Sequence, residues 1–143
     1  MDLDSAKIAD LRTKHLEMLQ GVISRVAGQS ATLKNYCITL TTAICGFAIT
    51  LQKPNVALLA LLPVTIFALL DAQYLRLERR FRGLFDQVRL ENWGIVPNFE
   101  INSKSAPAVS YWRALGSWSV FIFYAPLALA VVIVVLIARC SYG

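Results

Sequence analysis

Three stretches of this chain carry no charged residue at all: residues 35–52, 54–70 and 114–138. They hold 18, 17 and 25 residues. As helices rising about 1.5 Å per residue they would reach about 27, 25 and 37 Å. The hydrocarbon core of a bilayer is about 30 Å thick. Whole-chain composition agrees: 57% of residues are hydrophobic and 16% charged, against about 45–50% and 25% in soluble domains. An ordinary soluble enzyme and a disordered chain are excluded. The first two blocks are separated by Lys53 with Pro54 behind it. Proline lacks the N–H that an unbroken helix would use there, so the pattern predicts a helical hairpin. The expected fold is an all-α integral membrane protein: three transmembrane helices with a cytoplasmic helical extension, assembled as a homo-oligomer.

Basic residues set the orientation. Of the 14 Lys and Arg, 12 fall in residues 1–34 and 71–113; Lys53 and Arg139 are the other two. The expected layout is a cytoplasmic amphipathic helix at 1–33, a transmembrane hairpin at 34–70, a cytoplasmic helix and loop at 71–113, a third span at 114–138 and an external tail at 139–143. The acidic, amphipathic start does not read as a cleaved signal peptide. Cys37 and Cys45 fall in the first span, where free cysteine behaves as a small apolar residue. Cys140 alone would meet an oxidising compartment.

The N-terminal segment repeats Ile8, Leu11, Leu19, Val22 and Val26 at helical spacing, with His15 on or near that stripe. A histidine so placed reads as a partner to a neighbouring helix, since no further metal ligands are near. Beyond the second block, Leu70, Tyr74, Leu77, Phe81, Leu84 and Val88 recur at intervals of 4, 3, 4, 3, 4, which is a heptad seam. With no Pro or Gly at the junction, one helix is expected to run from Pro54 to about Glu91. The seam needs a partner, either the N-terminal helix of the same chain or copies of this helix from other chains. Residues 92–110 read as an irregular loop with an extended piece near 93–101. Trp93 and Phe99 are expected on the cytoplasmic helices, with stacking on a nucleobase as the alternative. Trp112 and Trp118 read as interfacial anchors.

Two groups of residues suggest chemistry. Arg82 has Glu78 four residues before it and Asp86 four after, so its charge is met within the helix. Arg76, Arg79 and Arg80 have no acid at i±3 or i±4 and form a candidate anion site, for lipid headgroups or a soluble phosphate. In the first span Thr39, Thr42, Gly46 and Thr50 form a stripe of small and polar residues, suited either to close helix packing or to lining a pore shared between subunits. Pro63 and Pro126 can bend their helices. The spans hold no charge for a proton relay, and no nucleophile–base pair, metal-ligand spacing or phosphate loop is visible. The reading is therefore not an enzyme, and it calls for no cofactor or metal.

The runs His15-Leu-Glu-Met-Leu-Gln-Gly-Val-Ile-Ser-Arg-Val-Ala-Gly and Leu70-Asp-Ala-Gln-Tyr-Leu-Arg-Leu-Glu-Arg-Arg-Phe-Arg-Gly-Leu-Phe-Asp, with the hairpin between them, resemble a group of small bacterial multi-pass membrane proteins over about two-thirds of the chain. In size and layout the chain also resembles the transmembrane channel effector of the Hailong anti-phage defence system. That resemblance implies an oligomeric inner-membrane channel controlled by an oligonucleotide that a partner nucleotidyltransferase makes. The residues themselves leave two readings: a homo-oligomeric channel or pore-forming effector gated by an anionic nucleotide or oligonucleotide, and a non-conducting membrane anchor or scaffold docking a partner protein through the 70–88 helix.

Overall fold

The computed structural model describes residues 4–142. Helix α1 (Ser5–Thr50) is unbroken over 46 residues, a rod of about 69 Å. The expected N-terminal amphipathic helix and first span are thus one element, because no proline interrupts residues 5–50. It ends in a Schellman turn: Lys53 N–H donates to the Ala48 carbonyl and Gln52 N–H to Ile49, each at 3.0 Å. Gln52 sits in the left-handed region at φ 55°.

The return arm begins with α2 (Pro54–Ala57), tightens into a 3-10 turn at Leu58–Ala60, and continues as α3 (Leu61–Leu90). One continuous helix from Pro54 was expected. The tightened turn lies just ahead of Pro63, whose missing N–H leaves the Leu59 carbonyl without its i+4 donor. After an irregular loop, α4 (Tyr111–Leu115) is followed by a break at Gly116–Ser117 and then by α5 (Trp118–Tyr142), which continues through Pro126. The helix of the third apolar block therefore starts at Trp118 rather than Ala114. The loop forms no strand among the described residues. Three asparagine turns organise it instead, with Asn92, Asn98 and Asn102 accepting from the N–H two residues on.

Antiparallel contacts set the register of α1 against the return arm. Arg12 meets Val88 and Glu91, Lys34 meets Asp71, and Ala48 packs with Ala57. Helix α5 runs parallel to α1, with Val120 and Tyr124 near Cys37 and Val135 near Ala48. Among the described residues two helices, Pro54–Leu90 and Trp118–Ser141, are long and apolar enough to cross a membrane. Beside them lie residues 35–50 of α1, a shorter stretch, about 24 Å long and interrupted by Thr39, Thr41, Thr42 and Thr50. This apolar half exposes large side chains such as Phe47, Leu59, Leu62 and Phe121. From about Asp71 onward α3 pairs with the N-terminal half of α1 as a two-helix stem, with Leu19, Ile23, Phe81, Leu84, Val88 and Ala106 at its core.

Candidate functional site

Where the stem joins the apolar half, charged and polar side chains from all three long helices converge. Asp71 on α3 is completely buried. Ser30 Oγ donates to its Oδ1 in a short hydrogen bond. Lys34 Nζ stands 3.4 Å from Oδ2 and equally far from Ser119 Oγ on α5, and 5.7 Å from the centre of the Phe123 ring. Tyr124, also on α5, is buried close by. An uncompensated carboxylate in an apolar interior is costly, and pairing with Lys34 offsets much of that cost. From the sequence, Asp71 marks only the start of the expected cytoplasmic segment 71–113. The signal was present: Lys34 immediately precedes one charge-free block and Asp71 immediately follows the next, so a hairpin brings opposite charges to the same depth.

The three arginines lie one to three turns further along α3. Arg76 Nε donates to the Val109 carbonyl at 2.8 Å. Arg79 donates to Ser117 Oγ at 2.8 Å and to the Arg113 carbonyl at 3.4 Å. These two guanidiniums tie the loop and the start of α5 to α3, a use that i±3 and i±4 bookkeeping within one helix cannot reveal. Arg80 makes no hydrogen bond among the described residues, and its Nε is buried without a partner. Arg82 pairs with Glu78 at 2.7 Å. Gln73, Arg76, Leu77 and Arg80 together line a shallow groove of about 80 Å³.

Thr39, Thr42, Gly46 and Thr50 are all exposed. The Thr39 and Thr50 hydroxyls return to the carbonyls of Asn35 and Gly46. The face of α1 that packs within the chain is carried by Cys37, Thr41 and Ala48 instead. The seam residues divide. Phe81, Leu84 and Val88 are buried against α1, and Leu77 packs at the edge of that core, so the chain's own N-terminal helix fills the distal seam. Leu70 is exposed and Tyr74 half-buried.

At the far end of the stem two polar residues occupy core positions of α1. The buried side of this segment is Ile8, Arg12, His15, Leu19 and Ile23, rotated from the expected stripe, in which Leu11, Val22 and Val26 had stood. The Arg12 guanidinium donates to the carbonyls of Val88, Asn92 and Ile95 and to Glu91 Oε2, all within 2.9–3.0 Å. It thereby caps the C-terminus of α3, where orphan carbonyls and the helix dipole favour a cation. Trp93 lies over the same guanidinium at 5.9 Å. His15 Nε2 is 3.1 Å from the Glu100 carbonyl. A carbonyl only accepts, so Nε2 carries the proton. Phe99 packs on the imidazole at 5.4 Å. Trp93 and Phe99 are thus engaged with the stem. Trp112, in α4, and Trp118, at the start of α5, stand exposed.

Among the described residues no group of His, Cys, Asp and Glu is arranged to hold a metal. No protein-family profile, curated protein or solved structure matches the chain.

Proposed function

We propose that the chain crosses the bacterial inner membrane three times, N-terminus and residues 71–113 in the cytoplasm and C-terminus outside, and that copies of it assemble laterally into an ion channel or pore. The lateral packing of residues 35–50, α2–α3 and α5 supports the spans. So do the cations at their two ends: Lys34, Arg79 and Arg113 at one, Lys53 and Arg139 at the other. Three helices are too few to enclose a hydrated path, so conduction requires several subunits. The observation that carries the reading is the outward orientation of Thr39, Thr42, Gly46 and Thr50. Hydroxyls on a lipid-facing surface gain nothing, whereas against another copy they allow close approach and polar lining. The cytoplasmic stem is the controlling part, with the Arg76–Arg80 region receiving an anionic ligand. The resemblance to an anti-phage membrane effector extends this reading to a nucleotide or oligonucleotide signal made by a partner nucleotidyltransferase.

Conductance of the purified protein in liposomes tests the proposal. Ion flux is expected, and Thr42→Leu should reduce it while leaving the oligomer intact. The scaffold reading is favoured by the proximal seam, where Leu70 and Tyr74 are left open beside Leu77. Absence of flux with and without candidate oligonucleotides, together with an intact oligomer, would replace the channel with that scaffold.

A further inference from the structure

One face of α3 is left uncovered by the rest of the chain, and it changes character along its length. Leu62, Ile66 and Leu70 are exposed on it. At the same helical spacing follow Gln73, Leu77 and Arg80, with Arg76 beside them. Gln73, Tyr74 and Leu77 line a groove of about 270 Å³, which adjoins the smaller groove of Gln73, Arg76, Leu77 and Arg80. Neither lining contains a carboxylate. The nearest acids on α3 are engaged elsewhere, Asp71 with Lys34 and Ser30, Glu78 with Arg82. Arg76 is held by one nitrogen to Val109, and Arg80 makes no hydrogen bond among the described residues, its Nε being buried without a partner. The face is therefore apolar for about two turns and cationic for the next two, with Arg76 and Arg80 about 9 and 15 Å beyond Leu70.

We propose that this face binds one anionic phospholipid, its acyl chains along Leu62, Ile66 and Leu70 and its headgroup phosphate between Arg76 and Arg80. The inference deepens the anion-site reading and rests on α3 being a membrane span. A free phosphate would use only the cationic end. An oligonucleotide would likewise use only the cationic end and leave the apolar strip bare, with Arg76 already donating through Nε to Val109; a signal oligonucleotide acting at this region would therefore have to displace the lipid headgroup. A phospholipid matches both parts at once: the headgroup region reaches about 5–8 Å beyond the hydrocarbon core, and arginine side chains on α3 tilt toward its N-terminus, back toward Leu70. Each basic residue near an anionic membrane surface contributes about a fivefold gain in affinity.

The test uses the full chain in neutral detergent, titrated with dioctanoyl phosphatidylglycerol, dioctanoyl phosphatidylcholine, inorganic phosphate and a short DNA oligonucleotide, with binding read by thermal shift. Phosphatidylglycerol is expected to bind at least tenfold more tightly than phosphatidylcholine. Arg76→Gln with Arg80→Gln should weaken it by about 25-fold. Gln73→Glu, an exposed position whose change leaves packing alone, should weaken it by about tenfold. Arg89→Gln should change nothing. Inorganic phosphate binding as tightly as the lipid would overturn the proposal in favour of a soluble-phosphate site. Oligonucleotide binding without lipid binding would overturn it in favour of a polyanion. Unchanged lipid binding in both groove variants would place the lipid elsewhere. A carbonate wash of membranes checks the underlying reading separately: release of the protein would remove the span and the lipid site with it. Retention leaves the lipid result to stand on the titrations alone.

Discussion

The apolar half and the stem use polar side chains in opposite ways. In the stem, α1 and α3 are amphipathic, and most of their charges face outward. The exceptions, Arg12 and His15, are fully buried and spend their donors on backbone carbonyls of the α3 terminus and the following loop. In the apolar half large hydrophobic residues face outward, and the inner contacts combine small residues such as Cys37, Ala48, Ala57 and Ala60 with Val64, Val120, Tyr124 and Val135. Its one buried charge pair sits at the edge, where it links helices side chain to side chain. In the stem, burial of apolar area separates inside from outside. In the apolar half, on the proposed membrane reading, the surroundings on both sides are apolar, so close fit and a polar junction must define the arrangement. The stem should therefore be sensitive to loss of a cap, and the apolar half to loss of charge balance.

Arg12→Ala is expected to have the largest effect. It strips donors from three carbonyls and a partner from Glu91, and opens a cavity under Trp93. Glu91 is half exposed and regains water, so the cost comes from the carbonyls left unsatisfied and is about 3 kcal/mol. Hydrogen exchange should rise over residues 88–101 and stay unchanged over α5. Uniform loss of protection across both halves would mean that they unfold as one unit and would break the comparison.

Asp71→Asn comes next, at about 2 kcal/mol, because Lys34 keeps some solvent contact and its charge is not fully stranded. The double change Lys34→Met with Asp71→Leu should recover most of that loss, since a buried ion pair replaced whole by apolar residues is often neutral. Thermal unfolding in detergent of the original protein, Lys34→Met, Asp71→Leu and the double variant forms the cycle, with Asp71→Asn measured beside them. If the double variant is less stable than Asp71→Asn alone, the pair contributes more than charge balance and the junction is not replaceable by packing.

How far each region could be read from residues alone follows from the same contrast. The apolar half was legible because charge-free runs of 17 to 25 residues admit few structures. The distal seam at Phe81, Leu84 and Val88 was legible as a seam, but spacing does not say which helix fills it; α1 does so within the chain. The rotation of the α1 stripe was illegible because Arg12 occupies a core position there; an arginine is counted as surface until a helix terminus and a loop arrive from elsewhere in the chain to satisfy it. His15 was placed on or near the stripe, and its partner is the Glu100 carbonyl of the loop. Arg76 and Arg79 were misleading for a related reason. Their partners are carbonyls and a serine hydroxyl more than 30 residues away, which charge pairing along a helix does not consider.

The smallest expected effect lies at the tip of the apolar half, far from both junctions. Gln52 closes the Schellman turn in the left-handed region, where a side chain costs about 1–2 kcal/mol relative to glycine. Glycine would relieve that strain but give back part of the gain through the greater freedom of the unfolded chain. Gln52→Gly should therefore raise stability by only about 0.5–1 kcal/mol. Gln52→Val, β-branched and poorly tolerated there, should lower it by about 1 kcal/mol. The informative quantity is the spread between the two variants in thermal unfolding, since the shared loss of the amide cancels. A spread near zero would show that the turn between α1 and α2 adapts its backbone to the residue. The apolar half would then owe its arrangement to helix packing and the Lys34–Asp71 junction, with no contribution from a fixed hairpin turn.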